Sequence, residues 1–301
     1  TITIINHGAI ENRARNWNVI GLASIDNGAI VNFTNTGTII QGTETAGSKS
    51  PYYGGVQAND STDEINFNNS GTMQSARLIF RLGGTTNFTL TNSGTIKQDN
   101  YAYLGQSDSA AATGYSSTTI AVGQSGSGAT IINSGTISAS HQNYHAITIG
   151  DEEANAAHSN ATIENSGTIS AGSGDYGRAI IIIPSESGTI TSGTTIKVKG
   201  EAEFTGGIDL GKTESTIVLD PSIKKDITII VYNYDGDLTI TNNLKGNDTY
   251  SITEEDLDSD GDTDDGTLII LGEDLEIAQN NSKYRSENVL TKMRGLFDAA
   301  N

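Results

Sequence analysis

Six aspartates fall within the segment EEDLDSDGDTDDGT at 254–267. Asp256, Asp258 and Asp260 sit at alternate positions, followed by Gly261, Asp262 and Asp264. Alternate carboxylates around a glycine turn form the first half of a loop that wraps a hard cation, and calcium is the ion such a loop takes. The twelfth position of that register is Thr267 rather than a bidentate Glu, so Asp264 or Asp265 would have to complete the shell. The alternative is a solvated acidic loop. Crowded carboxylates repel one another when no cation is present.

A second pattern appears nine positions after a recurring glycine. Trp17, Phe80, Tyr103, Tyr144 and Tyr176 follow Gly8, Gly71, Gly94, Gly135 and Gly167 at that interval. Aromatics in register either close a core edge as a stacked ladder or form an exposed binding stripe for sugars or another protein surface. Catalytic signals are weak by comparison. His141, His145 and His158 lie near Asp151, Glu152 and Glu153 without a metal-ligand spacing. Ser107 and Ser109 lack the strand-to-helix elbow of a serine nucleophile. Arg77 and Arg81 are not met by paired acids, and no glycine-rich phosphate loop follows a strand. The chain therefore reads as a non-enzyme.

The elements that must position these residues repeat. An apolar run followed by N-x-G-x-I occurs as INHGAI at 5–10, FTNTGTI at 33–39, FNNSGTM at 67–73 and LTNSGTI at 90–96. It returns as IINSGTI at 131–137, IENSGTI at 163–169 and, degraded, PSESGTI at 184–190. β-Branched residues favour strands, and Asn-x-Gly is turn chemistry, so the phrase predicts strand, corner, strand. A further apolar segment follows each corner, such as Ala146–Ile149 or Ala179–Ile183. Short strands recurring at such intervals predict a parallel β-helix, a solenoid in which each coil covers its neighbour. Aligned corner asparagines would bond amide to amide along the stack.

Successive corner glycines are 21 to 41 residues apart. The longer intervals carry either an insertion or an extra coil, with Gly28 as one such extra corner. The segments 43–55 and 98–117 are expected to leave one side of the rod, where solenoids carry binding loops.

The expected organisation is all-β: a right-handed parallel β-helix over 1–195, a C-terminal β cap with the acidic loop over 196–280, and an amphipathic helix over 284–301. Ser286 is its N-cap candidate, and Val289, Leu290, Met293, Leu296 and Phe297 share one apolar face. Cysteine is absent, and no apolar run has the length of a transmembrane helix. The formal net charge of -19 argues against nucleic-acid binding and suits a surface-displayed chain. Thr1–Ile4 already reads as strand, so a leader is expected to have been removed or the chain to start within a longer protein.

Stacked NSGTI coils, no cysteine, a strand-rich cap and a final amphipathic helix together resemble the passenger region of bacterial autotransporters, the type V secreted proteins. The resemblance implies passage through an outer-membrane barrel domain, with residues 286–300 as the linker in its pore. It implies a place at the bacterial cell surface or in the medium. It also implies adhesion to a host or cell-surface glycan or protein, or self-association with further copies. A carbohydrate-active β-helix and a passive stalk or filament subunit are the alternatives.

Overall fold

The computed structural model describes residues 1–12, 20–21, 30–41, 56–58, 64–75, 79–83, 87–98, 118–123, 128–140, 143–150, 160–183, 192–234, 238–246, 248–257 and 263–272. These form three long sheets. The first holds β1 (Ile2–Asn6), β4 (Ile30–Asn35), β7 (Glu64–Asn69), β10 (Asn87–Asn92), β13 (Thr130–Asn133), β16 (Thr162–Asn165), β19 (Ser192–Val198), β22 (Glu214–Leu219) and β24 (Thr239–Asn242), in that order. The second holds β2 (Ala9–Asn12), β5 (Thr38–Gln41), β8 (Thr72–Ser75), β11 (Thr95–Gln98), β14 (Thr136–Ala139), β17 (Thr168–Ser170) and β20 (Glu203–Thr205). The third runs through β3 (Ile20–Gly21), β6 (Val56–Ala58), β9 (Phe80–Gly83), β12 (Thr118–Gly123), β15 (His145–Ile149), β18 (Ile180–Ile182), β21 (Ile208–Asp209) and β23 (Ile227–Tyr232). It ends with β26 (Asp265–Leu271) and β25 (Thr249–Glu255).

Each pass of the chain adds one strand to each sheet as far as β21, after which the described residues add only to the first and third, and every pairing is parallel until β26 joins β23 antiparallel. The fold is thus all-β, with stacked parallel coils consistent with a β-helix. The first sheet's strand spacing gives a stack about 40 Å long. The expected helix over 284–301 lies outside the described residues.

Strand alternation sends one set of side chains inward. Val31, Phe33, Ile39, Ile65, Phe67, Met73, Leu90, Ile96, Ile131, Ile137, Ile163 and Ile169 are all buried. Phe33 stacks on Phe67 at 4.5 Å between ring centroids, and Phe67 meets Phe80 edge-on at 4.9 Å. The alternate positions face outward, Ile30, Asn32 and Thr34 in β4 and Thr130 and Ile132 in β13, while the corner residues Asn35 and Asn133 are buried.

The corner between the first and second sheets is the most regular part of the molecule. Asn6 donates Nδ2 to Asn35 Oδ1 at 2.8 Å. Asn35 donates to Asn69, Asn69 to Asn92, Asn92 to Asn133 and Asn133 to Asn165, each at 2.7–2.8 Å. The corner glycines stack beside them, and a Cβ on Gly37, Gly71, Gly94, Gly135 or Gly167 would lie 2.0–2.2 Å from the preceding glycine's carbonyl oxygen. Glycine is required here because two backbones touch, not because φ is positive.

Two expectations about the repeat are corrected. The long intervals hold no extra coil: β1 pairs directly with β4, and β10 with β13, so the added length lies in connections, and Gly28 itself lies outside the described residues. PSESGTI at 184–190 lies outside the described residues, and the seventh place in the asparagine column falls after it. Thr195, Ile196, Lys197 and Val198 align with Thr162, Ile163, Glu164 and Asn165, so Val198 takes the asparagine's place. Leu219 follows it in the same column, then Asn242. The apolar register outlasts the N-x-G phrase, because the inward column sustains the stack even where the polar corner is lost.

Candidate functional site

Connections from the second sheet to the third vary most in length. One spans 76–79, another 42–55 and another 99–117. The segments 43–55 and 98–117 thus belong to the same side of the topology, although most of their residues lie outside the described ones. The fifth and sixth of these connections, 140–144 and 171–179, are joined to each other. Asn143 N donates to Ser173 O at 2.8 Å, and Asn143 Oδ1 accepts from Tyr176 N at 3.4 Å. Asn143 sits at φ 63, a left-handed conformation its short amide tolerates.

This placement separates the expected aromatic stripe. Tyr144 and Tyr176 lie on neighbouring connections; Tyr144 is half-buried and Tyr176 is 61% exposed. Phe80 instead begins β9, is fully buried, and packs between Phe67 and Phe88. It presents nothing to a ligand. A constant offset from the corner glycine is not a constant position in space, because the intervening connection changes length. Trp17 and Tyr103 lie outside the described residues.

Beside Tyr176 the structure assembles a polar cluster that spacing did not reveal. Arg178 follows the turn, and its side chain is only 9% exposed. Its backbone N–H donates to His145 Nδ1 at 3.1 Å, which places the proton of a neutral His145 ring on Nε2. Nη1 donates to the carbonyls of Asp175 and Gly177 at 2.7 and 3.3 Å. The guanidinium lies over the Tyr232 ring, 3.8 Å from its centroid, and Nε is 3.9 Å from Asp209 Oδ2. Such a cation is held by an aromatic face and one carboxylate, which together offset part of its desolvation.

Asp209 is itself tied inward. Its Oδ1 accepts from Gly211 N at 3.0 Å and Asn233 Nδ2 at 3.1 Å. Burial pushes its carboxyl above the ordinary carboxylate range, outweighing these bonds and the Arg178 charge. The proton is therefore held more tightly in the folded state than in the unfolded chain. Stability falls as pH rises from about the usual 3.8 toward the raised value, and stays lower above it. Asp209→Asn should remove that slope. Chemical denaturation of both proteins from pH 3 upward checks it: the variant's stability relative to wild type should climb with pH, and a flat difference would refute the assignment.

The acidic loop joins this cluster through its ends. Asp265 is fully buried; its Oδ1 accepts from Asn233 N and its Oδ2 from Leu257 N, both at 3.0 Å. Asp264 Oδ2 pairs with Lys212 Nζ at 2.9 Å. Two backbone amides and an ammonium thus occupy the carboxylates expected to complete a calcium shell. Asp256 is exposed, and Asp258, Asp260 and Asp262 lie outside the described residues. Among the described residues no three acidic or imidazole groups converge on a metal position. Spacing offered Asp265 only as a completion of a cation shell; its place at the start of the β-branched strand β26 is what carries it into the core instead.

The cluster pins the last coils and the antiparallel hairpin together, and leaves Tyr176 as the exposed group above it. Its carboxylates are committed to Arg178, Lys212 and backbone amides, so it offers no free acid–base pair. No family model, curated protein or solved structure matches the chain.

Proposed function

We propose that this chain is a right-handed parallel β-helix of the autotransporter passenger kind, held at a bacterial surface or secreted, and acting by adhesion or self-association. The observation that carries the proposal is the division of labour around each coil. The corner between the first and second sheets keeps one two-residue form from Asn6 to Asn165 and is internally satisfied, whereas the connections from the second to the third sheet range from 206–207 to 99–117. A rigid stack with variation confined to its connections is how a solenoid presents a binding face without disturbing its core. The strongly acidic balance keeps such a rod soluble and spaces it from other anionic surfaces.

The partner fitting this reading is a glycan or protein surface, or a further copy of the chain. Tyr176 is the described aromatic placed to contact it, with Asn143 and Asp175 beside it. Cells displaying the chain should clump or bind glycan arrays. Tyr176→Ala should weaken glycan or cell binding about fivefold to thirtyfold, the scale of losing one aromatic contact, with melting temperature unchanged. If displayed chains neither clump cells nor bind glycan or protein surfaces, the adhesive reading fails and a passive stalk takes its place.

A further inference from the structure

The turn that carries Tyr176 is an exposed tip on buried shoulders. Ser173, Gly174, Asp175 and Tyr176 are exposed, while Ala171 and Gly172 before them and Gly177 and Arg178 after them are buried. The tip is fastened to the preceding coil at the 140–144 connection and the start of β15. Gly172 N donates to Tyr144 O at 2.9 Å, and Asn143 N to Ser173 O at 2.8 Å. Past the tip, Tyr176 N donates to Asn143 Oδ1 at 3.4 Å and Arg178 N to His145 Nδ1 at 3.1 Å.

One of these fastenings is titratable. Tyr144 O, Ser173 O and Asn143 Oδ1 are amide oxygens and accept at any ordinary pH. An imidazole nitrogen accepts only while it keeps its lone pair, so the bond from Arg178 N is lost when Nδ1 takes a proton.

The surroundings oppose that proton. His145 is 7% exposed, so an imidazolium there stands largely out of water. The strands packed most closely on β15 are β12, β14, β17 and β18, and none carries an ionisable side chain. The charged residue bonded to His145 is Arg178, itself a cation, set over Tyr232 and beside Asp209. The acids of this neighbourhood are engaged elsewhere or lie in water. Asp209 accepts from Gly211 N and Asn233 Nδ2, Asp265 accepts from Asn233 N and Leu257 N, and Asp175 stands at the exposed tip. Tyr144, Tyr176 and Tyr232 complete the titratable groups among the described residues here. His141 and the acids at 151–153 lie outside them.

We propose that His145 is an acid-sensitive latch on the Tyr176 turn: with Nδ1 unprotonated the turn is closed on the preceding coil, and a proton on Nδ1 releases it. The closed turn excludes the proton that the released turn accepts. Each pH unit below the ordinary imidazole value of about 6.5 therefore favours release by up to about tenfold. Release moves Tyr176 and Asp175 away from Asn143, so binding through this surface is strongest near neutral pH and falls in acid. That consequence rests on the adhesive reading, whereas the latch itself is a property of the fold. Asp209 takes up its own proton as pH falls, and that uptake stabilises the fold, so the two titrations act with opposite sign.

Hydrogen exchange of the purified chain, corrected for the intrinsic pH dependence of amide exchange, tests the latch. Amides of 143–146 and 172–178 should open about tenfold more readily at pH 5.5 than at pH 7.5, while those of the corner at 131–137 stay equally protected. His145→Asn puts an amide oxygen near the place of Nδ1, an acceptor that does not titrate, and should abolish the difference with the turn closed at both pH values. His145→Leu removes the acceptor and should open the turn at both. If His145→Leu fails to fold, the comparison of wild type with His145→Asn decides. Asp209→Asn should leave the difference in place. Equal protection of the wild-type turn at the two pH values overturns the proposal. A difference that survives in His145→Asn, or vanishes in Asp209→Asn, overturns it too. Cells displaying the chain should clump or bind glycan less at pH 5.5 than at pH 7.5, and His145→Asn should remove that loss. Binding that is alike at both pH values overturns the control of adhesion. A turn that opens in acid on a chain that binds nothing at either pH supports the latch and removes the adhesive reading.

Discussion

Gly94→Ala is expected to be among the most damaging single changes the fold can suffer, costing roughly 4 kcal/mol or more. The new Cβ would stand 2.1 Å from Gly71 O and 2.7 Å from Ser70 C. Both are backbone atoms, and neither can swing aside as a side chain would. Gly71 O is also the acceptor for Thr95 N at 2.9 Å, and Asn69 O the acceptor for Ser93 N and Gly94 N. Separating the two coils enough to admit a methyl group therefore breaks the bonds that hold the corner together. Strain at one interface passes to its neighbours, because each coil of a solenoid is stabilised by the adjacent ones. Gly8→Ala is the internal control, since its Cβ enters open space. Urea unfolding of the two variants should show a large loss for the first and none for the second. Equal losses would mean that the backbone freedom of glycine, not coil contact, explains these positions.

The repeat phrase was legible because the feature it encodes is local: two residues of turn between two strands, in contact with an identical turn one coil away. Asn35, Asn69, Asn92, Asn133 and Asn165 could be aligned by eye and do align in space. The strands of the third sheet were legible for the same reason, since Ala146–Ile149 and Ala179–Ile183 carry β-branched runs. What failed was any inference measured across a connection of variable length. Phe80 and Tyr176 share an offset from their glycines, yet one is in the core and the other in water. PSESGTI resembled a corner, but the column it would have joined is taken by Val198. The polar cluster was illegible because Arg178, Asp209, Asn233 and Asp265 come from separate coils, and only the stacking register brings them together. The acidic loop offered a cation pattern, whereas the fold directs Asp264 and Asp265 at Lys212 and at backbone amides.

Asn133→Leu is expected to cost about 2–5 kcal/mol, with a smaller loss from Asn165→Leu. Asn133 is fully buried and stands between two like neighbours. It accepts Nδ2 of Asn92 at 2.8 Å and donates to Asn165 Oδ1 at 2.8 Å. Its own Nδ2 also reaches the carbonyls of Gly135 and Thr168 at 3.2 and 3.1 Å. Leucine leaves Asn92 without its side-chain acceptor and Asn165 without its side-chain donor, each in a site closed to water. A stranded buried polar group costs about 1–3 kcal/mol. Asn165 differs because the column turns apolar one coil later, at Val198. Its Nδ2 instead donates to Gly167 O and Glu203 O at 3.0 and 3.3 Å. A leucine there strands one asparagine side chain rather than two, and it meets a valine that can pack against it. Thermal melts of both variants decide the point. A larger loss at 165 than at 133 would show that the ladder bonds are not what makes the corner rigid.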